Sequence, residues 1–438
     1  MIPIELSPIV IGLIGMGVLF LLLAMGMPVS FAMAIVGFAG FASLISVKGA
    51  LVKLAVVPFG TVFSYDFAVI PLFIFMAQIC FNAELSKDLY AVAFKWLGPL
   101  PGGLAMATIG ACAIFAAISA SSIATAVTLG LVALPEMRKY KYDLRLATGS
   151  IAAGGTMGVL IPPSAGLIIY GIIAEQSIGR LFMAGVIPGV LEAIFYIVTI
   201  LILCKLNPSL GPKGPKSSFK EKLAILGRGG EVIVLIAFVL VGLFRGWFTP
   251  TEAGAAGAFG AIVITLFRRR LTWQVFKQSL LATANTAGMI YALMIGAFLL
   301  NYFLAASTIP TELAAITNRL PFPPLGIMAS IMFLFLGLGC FIDAMAMIML
   351  TIPIFLPLAL RLGFDPIWFG ILLVRMTEIA VITPPVGMNV FAIHGIAKDV
   401  PMEVIFRGIL PFLLADIIHV TLLLFVPQIC LFLPGLLM

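Results

Sequence analysis

Two stretches of the chain share one unusual construction: GGTMGVLIPPSAGLIIYG at residues 154–171 and MTEIAVITPPVGMNVFAIHG at residues 376–395. Each is an apolar helical pattern that Pro-Pro and several glycines interrupt. Pro384 follows Pro162 by 222 residues, so the two breaks lie at matching positions of two halves. Interrupted apolar segments in matching positions are typical of secondary transporters with internal repeats, where they mark the binding region.

Composition places the chain in a membrane. Of 438 residues, 62% are hydrophobic and only 10% are charged, with a mean hydropathy of +1.22. This leaves too little polar surface to cover a soluble domain. Five cysteines lie in apolar stretches without a C-x-x-C pair, and there are two histidines, so neither a disulfide framework nor a zinc site is expected. We predict an all-α polytopic membrane protein.

The formal net charge of +7 does not indicate a nucleic-acid partner, because the basic residues are sorted by loop. Of the 25 Lys and Arg residues, 18 fall in five loops on one side: 83–100, 137–146, 205–230, 268–282 and 397–407. Six lie on the other side: Lys48, Lys53, Arg180, Arg245, Arg319 and Arg361. The positive-inside rule makes the richer side cytoplasmic, which predicts that both termini lie on the outer side of the lipid bilayer.

The apolar runs predict the order of the elements. Crossings are expected near 8–26, 30–47, 67–82, 147–174, 181–204, 231–246, 253–267, 284–305, 367–396 and 408–433. Amphipathic surface helices are expected within 83–100 and around Trp273, and a basic linker over 205–230. Thr251 and Glu252, after Pro250, are expected to cap the helix that follows.

Two apolar hairpins precede the broken helices, with arms at 102–118 and 123–135, and at 325–338 and 345–358. The arm 123–135 would be only about 20 Å long, against a hydrocarbon thickness of about 30 Å, so we predict re-entrant hairpins. The loop charges place the two units on opposite faces, as an inverted-topology repeat. The predicted division is 1–100 as scaffold helices with an inner surface arm, 101–180 as the first repeat core, 181–323 as scaffold helices, linker and surface arms, 324–396 as the second repeat core, and 397–438 as the C-terminal helix.

The breaks predict a cation site. Proline lacks an N–H, so a Pro at position i leaves the carbonyl of residue i−4 without its helical donor. This predicts bare carbonyls at Gly158, Val159, Ala380 and Val381. At membrane depth, bare carbonyls occur only inside protein or beside a wet cavity, where such oxygens stabilise a hard cation such as Na⁺. Hydroxyls that could complete the shell are those of Ser119, Ser122, Thr125, Thr156, Thr377 and Thr383. Alternatively, each Pro-Pro pair only kinks a helix.

Helix N-termini predict an anion site in the same place. The second hairpin arms begin at Ser121 or Ser122 and at Asp343 or Ala344, and the distal halves of the broken helices begin near Ser164 and Gly387, with Asn389 close by. Unsatisfied N–H groups at such ends attract an anionic group such as a carboxylate.

The buried charges leave alternatives open. Arg375 either binds substrate or pairs with Glu378, which lies on the same helical face. Asp343 is either a functional carboxylate at membrane depth or the N-cap of its helix. We assign three single polar groups, Glu192, Asp416 and His419, to helix packing.

The chain carries SASSIATAV at 119–127, GGTMGVLIPPS at 154–164, FTPTEAGA at 248–255, FIDAMAMIMLTIPIFLP at 341–357 and ITPPVGMNV at 382–390. In these motifs and their order it resembles the large membrane subunit of TRAP (tripartite ATP-independent periplasmic) transporters over essentially its whole length. The resemblance implies a sodium-driven elevator in the bacterial inner membrane that imports an organic acid, such as a C4-dicarboxylate, sialic acid or keto acid. Na⁺ would be the coupling ion, without an organic cofactor. The resemblance also implies two partners, a separate four-helix membrane subunit and a periplasmic substrate-binding protein.

Two other classes of protein share part of this pattern. A stand-alone sodium-coupled dicarboxylate or citrate carrier would have the same hairpins and broken helices without needing partner proteins. An intramembrane hydrolase would need two carboxylates at one site, and Asp343 has no second Asp in a comparable glycine-rich helix. We therefore predict a transporter and not an enzyme.

Overall fold

The computed structural model describes residues 7–119, 121–317 and 321–437. Two residues named above, Ala120 of the first hairpin tip and the basic Arg319, lie outside the described residues. The first ten helices are α1 Pro8–Ala24, α2 Val29–Leu44, α3 Val47–Phe63, α4 Val69–Asn82, α5 Leu85–Leu97, α6 Gly103–Ser119, α7 Ser122–Lys139, α8 Leu144–Leu160, α9 Ala165–Ile173 and α10 Ile178–Leu206. The others are α11 Phe219–Phe244, α12 Pro250–Phe267, α13 Trp273–Ser307, α14 Ile309–Thr317, α15 Pro324–Gly339, α16 Ala344–Arg361, α17 Pro366–Ala380, α18 Met388–Ile396, α19 Met402–Phe425 and α20 Gln428–Leu437.

The predicted all-α membrane fold is confirmed. Within the described residues, seven helical segments are long and apolar enough to cross a membrane, or eight if α11 is counted across its bend. The two repeats also appear in the predicted order: hairpin α6–α7 precedes the broken helix α8/α9, and hairpin α15–α16 precedes the broken helix α17/α18. Both Pro-Pro peptide bonds, at Pro162–Pro163 and Pro384–Pro385, are cis.

Each hairpin tip meets the middle of its broken helix. A Cβ atom built on Gly158 would lie 2.8 Å from the Ser121 carbonyl oxygen at the first tip. A Cβ built on Gly339, at the second tip, would overlap the side chain of Ala380. Gly158 lies in the last turn of α8, and Ala380 is the last residue of α17. Both hairpins therefore end beside the breaks and not at the far end of the broken helices.

The predicted lengths of the second hairpin arms are wrong, whereas the first arms agree with α6 and α15. Helix α7 continues through Pro135 to Lys139 and has 18 residues, about 27 Å rather than 20 Å. Helix α16 also has 18 residues and is one of the seven segments that could cross by length and composition. Arm length therefore does not distinguish a re-entrant hairpin from two crossings. The position of the tips beside the breaks is the better support for re-entry.

Other elements also differ from the expectation. Residues 48–66, left unassigned, contain α3, and the predicted linker 205–230 gives way to α11 at Phe219. The last crossing is divided between α19 and α20. The cap of α12 is Thr249 and not Thr251: the Thr249 hydroxyl accepts from the Glu252 N–H, and the Glu252 carboxylate accepts from the Thr249 N–H.

The predicted surface helix near Trp273 and the crossing 284–305 are one continuous helix, α13, of 35 residues. The polar stretch between them does not end the helix, because its hydroxyls bond to carbonyls of the same helix. Ser279 donates to the Val275 carbonyl at 2.8 Å, and Thr283 donates to the Ser279 carbonyl at 2.7 Å.

By their contacts the helices form two groups. The outer group contains α1–α4 and α11–α13, the core group contains α6–α10 and α15–α20, and α5 and α14 pack on both groups. The predicted division placed α10 with the scaffold and α19 in a separate C-terminal part. Instead, α10 packs mainly on α6, α8, α9, α17, α19 and α20, and α19 packs on α8, α10, α17 and α18. Both helices therefore belong to the core group that carries the hairpins and breaks.

Candidate functional site

The first hairpin tip is held together by its own hydroxyls. Ser121 is the N-cap of α7 and accepts from the Ala124 N–H at 3.3 Å. The Ser121 carbonyl accepts from the hydroxyls of Ser119 and Thr125, at 3.0 and 2.8 Å. These two hydroxyls, predicted as cation ligands, are therefore used within the tip, where their oxygens keep free lone pairs.

The tip also contacts the second repeat. The Asn389 side chain, at the start of α18, donates from Nδ2 to the Ser122 hydroxyl at 2.9 Å and to the Ala152 carbonyl at 3.3 Å. All three residues come from different elements, α18, α7 and α8, and Asn389 is fully buried. The structure thus brings together Ser122 and Asn389, two residues predicted for the substrate site from halves of the chain 267 residues apart.

Most of the carbonyls that the prolines were expected to free have other donors. Val159 accepts from the Ser164 hydroxyl, which also caps α9 by accepting from the Leu167 N–H at 3.3 Å. Ala380 accepts from the Thr383 N–H at 3.2 Å, and Val381 accepts from the Asn389 N–H at 3.1 Å. The prediction of bare carbonyls at Val159, Ala380 and Val381 is thus wrong, because the chain turns back at each break and brings new donors. For Gly158 the argument from Pro162 is unchanged.

The predicted threonine ligands are also engaged locally. Thr377 and Thr383 donate to carbonyls of their own helix, those of Val374 and Ile379, at 2.7 Å each. Thr156 donates to the Ala153 carbonyl at 2.6 Å and lies 3.0 Å from the Glu192 carboxylate. These hydroxyls stabilise the helix ends beside the breaks in the structure described.

At the second tip, Asp343 is the N-cap of α16 and accepts from the N–H groups of Met345 and Ala346, at 2.9 and 3.3 Å. Asp343 and Ala344 are half-buried. Gly387, which precedes α18, has a φ of +64°, a backbone conformation that glycine adopts without the strain of a Cβ atom. The N-cap alternative for Asp343 therefore holds in this structure, and its carboxylate remains accessible at the tip.

Arg375 forms a buried network that the sequence did not indicate. Its guanidinium donates to Glu192 on α10 at 2.8 Å and to Asp416 on α19, and Tyr196 donates to Asp416 at 2.7 Å. All of these side chains are fully buried. Of the two alternatives left open for Arg375, pairing with Glu378 is wrong, and in this structure two other carboxylates already balance the guanidinium charge. Glu192 and Asp416 are ion-pair partners and not isolated packing residues.

Sequence reasoning treated Glu378 only as a partner for Arg375, and so missed its position. The Glu378 carboxylate is fully buried beside Ser122, and within the part of the chain that the structure describes neither of its oxygens has a hydrogen-bond partner. The repeat interval of 222 residues makes Thr156 its equivalent in the first half. That comparison, applied to every polar residue near the breaks, would have drawn attention to Glu378, since the two halves differ there in charge.

Two clefts lie along the boundary between the two helix groups. One, of about 810 Å³, is lined by residues that include Tyr65, Asp66, Glu175, Thr251 and Asn301. The other, of about 440 Å³, lies between α4, α5 and α7. On the predicted topology these clefts are on opposite faces of the membrane. Neither is lined by a predicted site residue, so the site at the tips is separate from them.

The core group thus contains two hairpin tips beside two broken helices, and Ser122 of the first tip contacts Asn389 after the second break. This arrangement suits an ion or a small anionic solute. Residues 16–429 match the family described as "Tripartite ATP-independent periplasmic transporter, DctM component". The chain belongs to this family. The TRAP resemblance seen in the sequence is confirmed.

Curated relatives of the DctM family match over most of the chain. The isethionate TRAP transporter permease protein DctMQ of Oleidesulfovibrio alaskensis is 32% identical over 96% of this chain, which spans 66% of that protein. The C4-dicarboxylate large permease protein DctM of Pseudomonas aeruginosa is 32% identical, covering 87% of this chain and 89% of the relative. The sialic acid large permease protein SiaM of Vibrio cholerae is 31% identical, covering 95% and 96%.

A solved structure shares the fold of this DctM-family chain. The YdaH transporter of Alcanivorax borkumensis aligns with a TM-score of 0.63 at 13% identity, covering 87% of this chain and 89% of that one. At this identity the likeness concerns the fold alone.

Proposed function

We propose that this chain is the translocation subunit of a sodium-driven, binding-protein-dependent transporter that imports a small organic acid. The observation that carries the proposal is the contact of Ser122 with Asn389 at 2.9 Å, because it joins the tip of one repeat to the break of the other. Helix N-termini converge on this place, and they favour an anionic group. The named substrates of the three relatives, isethionate, C4-dicarboxylate and sialic acid, are all acids.

The division into two helix groups supports an elevator mechanism. The core group carries both tips and both breaks, and clefts of about 810 and 440 Å³ separate it from the outer group near each end of the boundary. A core that slides as a unit would need such an incompletely packed boundary, since close-packed interfaces do not deform continuously. We propose that the outer group is the scaffold and the core group is the transport domain, in a bacterial inner membrane.

We further propose two partners, a separate four-helix membrane subunit and a periplasmic binding protein that delivers the substrate. The description of the family as a tripartite periplasmic transporter supports this proposal. Exposed apolar side chains on the outer group, such as Phe31, Phe59 and Phe238, provide a surface for lipid or for the membrane subunit. Robust uptake by the purified chain alone would instead favour a stand-alone carrier.

The first prediction concerns the driving force. In proteoliposomes that contain the chain with its partner proteins, uptake of the organic acid is expected to fall to background when external Na⁺ is replaced by K⁺. The reason is that the oxygens at the tips would bind Na⁺ together with the substrate, so that the Na⁺ gradient drives both inward. The measurement is initial uptake of labelled substrate at equal ionic strength. Full uptake in K⁺ alone, or uptake that requires internal ATP, would contradict the proposal.

The second prediction separates the two roles of Asp343. Asn is nearly as good an N-cap as Asp, so Asp343→Asn should preserve α16 and the melting temperature. Uptake should fall by about ten-fold, since a hydrogen bond to a charged group contributes about 1.5–3 kcal/mol. The measurement pairs uptake rate with thermal unfolding in detergent.

A matched control for Asp343→Asn is Asp365→Asn. Asp365 caps α17 in the same way, accepting from the N–H groups of Ile367 and Trp368 at 2.7 and 3.2 Å, but it lies at the other end of the helix from the break. Asp365→Asn should leave uptake unchanged. Equal uptake in both variants would remove the Asp343 charge from the mechanism.

A further inference from the structure

Glu378 is a buried carboxylate without a compensating partner. It lies on α17, between the Arg375 network and the break, with none of its surface exposed. Neither carboxylate oxygen accepts a hydrogen bond from any of the described residues. An unpaired charge in the membrane interior is costly, and such residues mark sites of function. Arg375 does not compensate it, because Glu192 and Asp416 hold its guanidinium.

A second oxygen without a partner belongs to Asn389. The Ala152 carbonyl accepts only, so the Asn389 atom 3.3 Å from it must be the amide nitrogen. This fixes the orientation of the amide, which donates its other hydrogen to Ser122 at 2.9 Å. The Asn389 Oδ1 atom is therefore fully buried and has no donor among residues 7–119, 121–317 and 321–437. Orphaned buried acceptors of this kind need an explanation, and a bound ion is one.

Ser122 links these two residues. Its hydroxyl accepts from Asn389 and lies beside the Glu378 carboxylate without meeting hydrogen-bond geometry. Gly155 on α8 closes the other side: a Cβ there would lie 2.9 Å from the Ser122 carbonyl and 3.0 Å from the Asn389 Nδ2 atom. Only glycine leaves the space in which the tip and the amide meet. Ser122 thus joins Glu378 and Asn389, each with an unpartnered oxygen, in one buried spot.

The balance of charge decides what this spot would hold. Among the side chains of the network and this spot, Arg375 carries one positive charge, whereas Glu192, Asp416 and Glu378 are three acids, all fully buried. An ionised Glu378 therefore requires a further positive charge beside it. The donors are hard oxygens, and the described residues contain no cluster of three or more His, Cys, Asp or Glu side chains, as a transition metal would favour. One carboxylate matches one monovalent charge.

We propose that Glu378, the Oδ1 atom of Asn389 and the Ser122 hydroxyl form a Na⁺ site that joins the first hairpin to the second broken helix. The inference rests on the proposed sodium coupling and names its anionic ligand. Because α7 contributes Ser122 and α17 and α18 contribute the other two oxygens, Na⁺ binding connects the two repeats. The tip of the first hairpin is then fixed against the second break when the ion is present.

The test is Na⁺ binding by the purified chain. Wild-type protein in detergent is heated at increasing NaCl concentration, with choline chloride keeping the ionic strength constant. A ligand that binds only the folded state raises the melting temperature with its concentration. Glu378→Gln keeps the shape and removes the charge, and should raise the Na⁺ concentration at half-maximal stabilisation about ten-fold or more. Glu378→Asp, which keeps the charge, should fall between the two.

The matched control is Glu403→Gln, the same change at an exposed glutamate near the start of α19. It should bind Na⁺ as the wild type does. If Glu378→Gln does not fold, Asn389→Ala replaces it, and the same shift is expected because Oδ1 is lost. The proposed site is overturned if the folded Glu378→Gln protein shows the same Na⁺ dependence as the wild type. If only Asn389→Ala folds, the same result in that variant overturns the site.

This outcome is distinguishable from a failure of the proposed function. If uptake by the wild-type transporter does not depend on Na⁺, the proposed sodium coupling fails. If uptake depends on Na⁺ and Glu378→Gln retains the wild-type Na⁺ affinity, only the Glu378 site fails.

Discussion

Replacing Arg375 with methionine is expected to lower the free energy of unfolding by about 3–5 kcal/mol, as removing one partner of a buried ion pair does. The change leaves Glu192 and Asp416 facing each other without a cation, on α10 and α19. Both side chains are fully buried, so water cannot replace the guanidinium. Thermal or denaturant unfolding of the purified protein in detergent measures the loss. Arg361→Met is the control, because Arg361 is exposed at the end of α16.

The loss should be reversed when the carboxylates are neutralised with it. A triple variant with Arg375→Met, Glu192→Gln and Asp416→Asn removes the cation and both anions together, and should recover most of the stability. Tyr196 can still donate to the side chain at position 416. An Arg375→Met protein that unfolds like the wild type would show that Glu192 and Asp416 do not need the guanidinium as a partner in the folded state.

The second large effect is expected at the contact of α19 with α8. Gly408 lies so close to α8 that a Cβ there would overlap the Arg145 carbonyl oxygen, and a Cβ on Gly149 would overlap the Gly408 backbone in turn. Small residues permit such backbone contact between membrane helices. Because backbone atoms cannot rotate away, Gly408→Ala should lower the free energy of unfolding by about 1–3 kcal/mol.

The control for Gly408→Ala is Gly288→Ala. A Cβ on Gly288, in α13, would meet nothing within 4 Å. Alanine is the better helix former, by about 0.8–1 kcal/mol, so this variant should be as stable as the wild type or more so. The two melting temperatures should therefore move in different directions. A Gly408→Ala protein with unchanged stability would mean that α8 and α19 are farther apart than described.

The sequence predicted the parts of the fold that local chemistry determines. Pro-Pro at 162–163 and 384–385 stops a helix wherever it occurs, so both breaks and the repeat were recognisable. Helix α13 was predicted as two elements, a surface helix around Trp273 and a crossing from residue 284, whereas the Thr283 hydroxyl between them bonds within one continuous helix. The arm after Ser122 was predicted too short because Pro135 was expected to end it, although α7 continues past it.

The site was less predictable, because its contacts join residues far apart in the chain. Nothing local to Arg375 indicates that Glu192, 183 residues earlier, will take its charge instead of Glu378, three residues later. The freed carbonyl of Val381 likewise finds a donor in Asn389 only because the chain turns back after the break. Spacing identified which residue types gather at the tips. It did not identify which of them satisfy one another.

Helix α13 links the thickness of the bilayer to the position of the second hairpin. Its 35 residues span about 52 Å, well beyond a hydrocarbon layer of about 30 Å. A helix this long must tilt or protrude, and the tilt changes with bilayer thickness. Its outer half and α14 both pack on α16, the second arm of that hairpin. Because α13 has no break along its length, a change in its tilt with bilayer thickness is expected to move α16, the hairpin arm that follows Asp343.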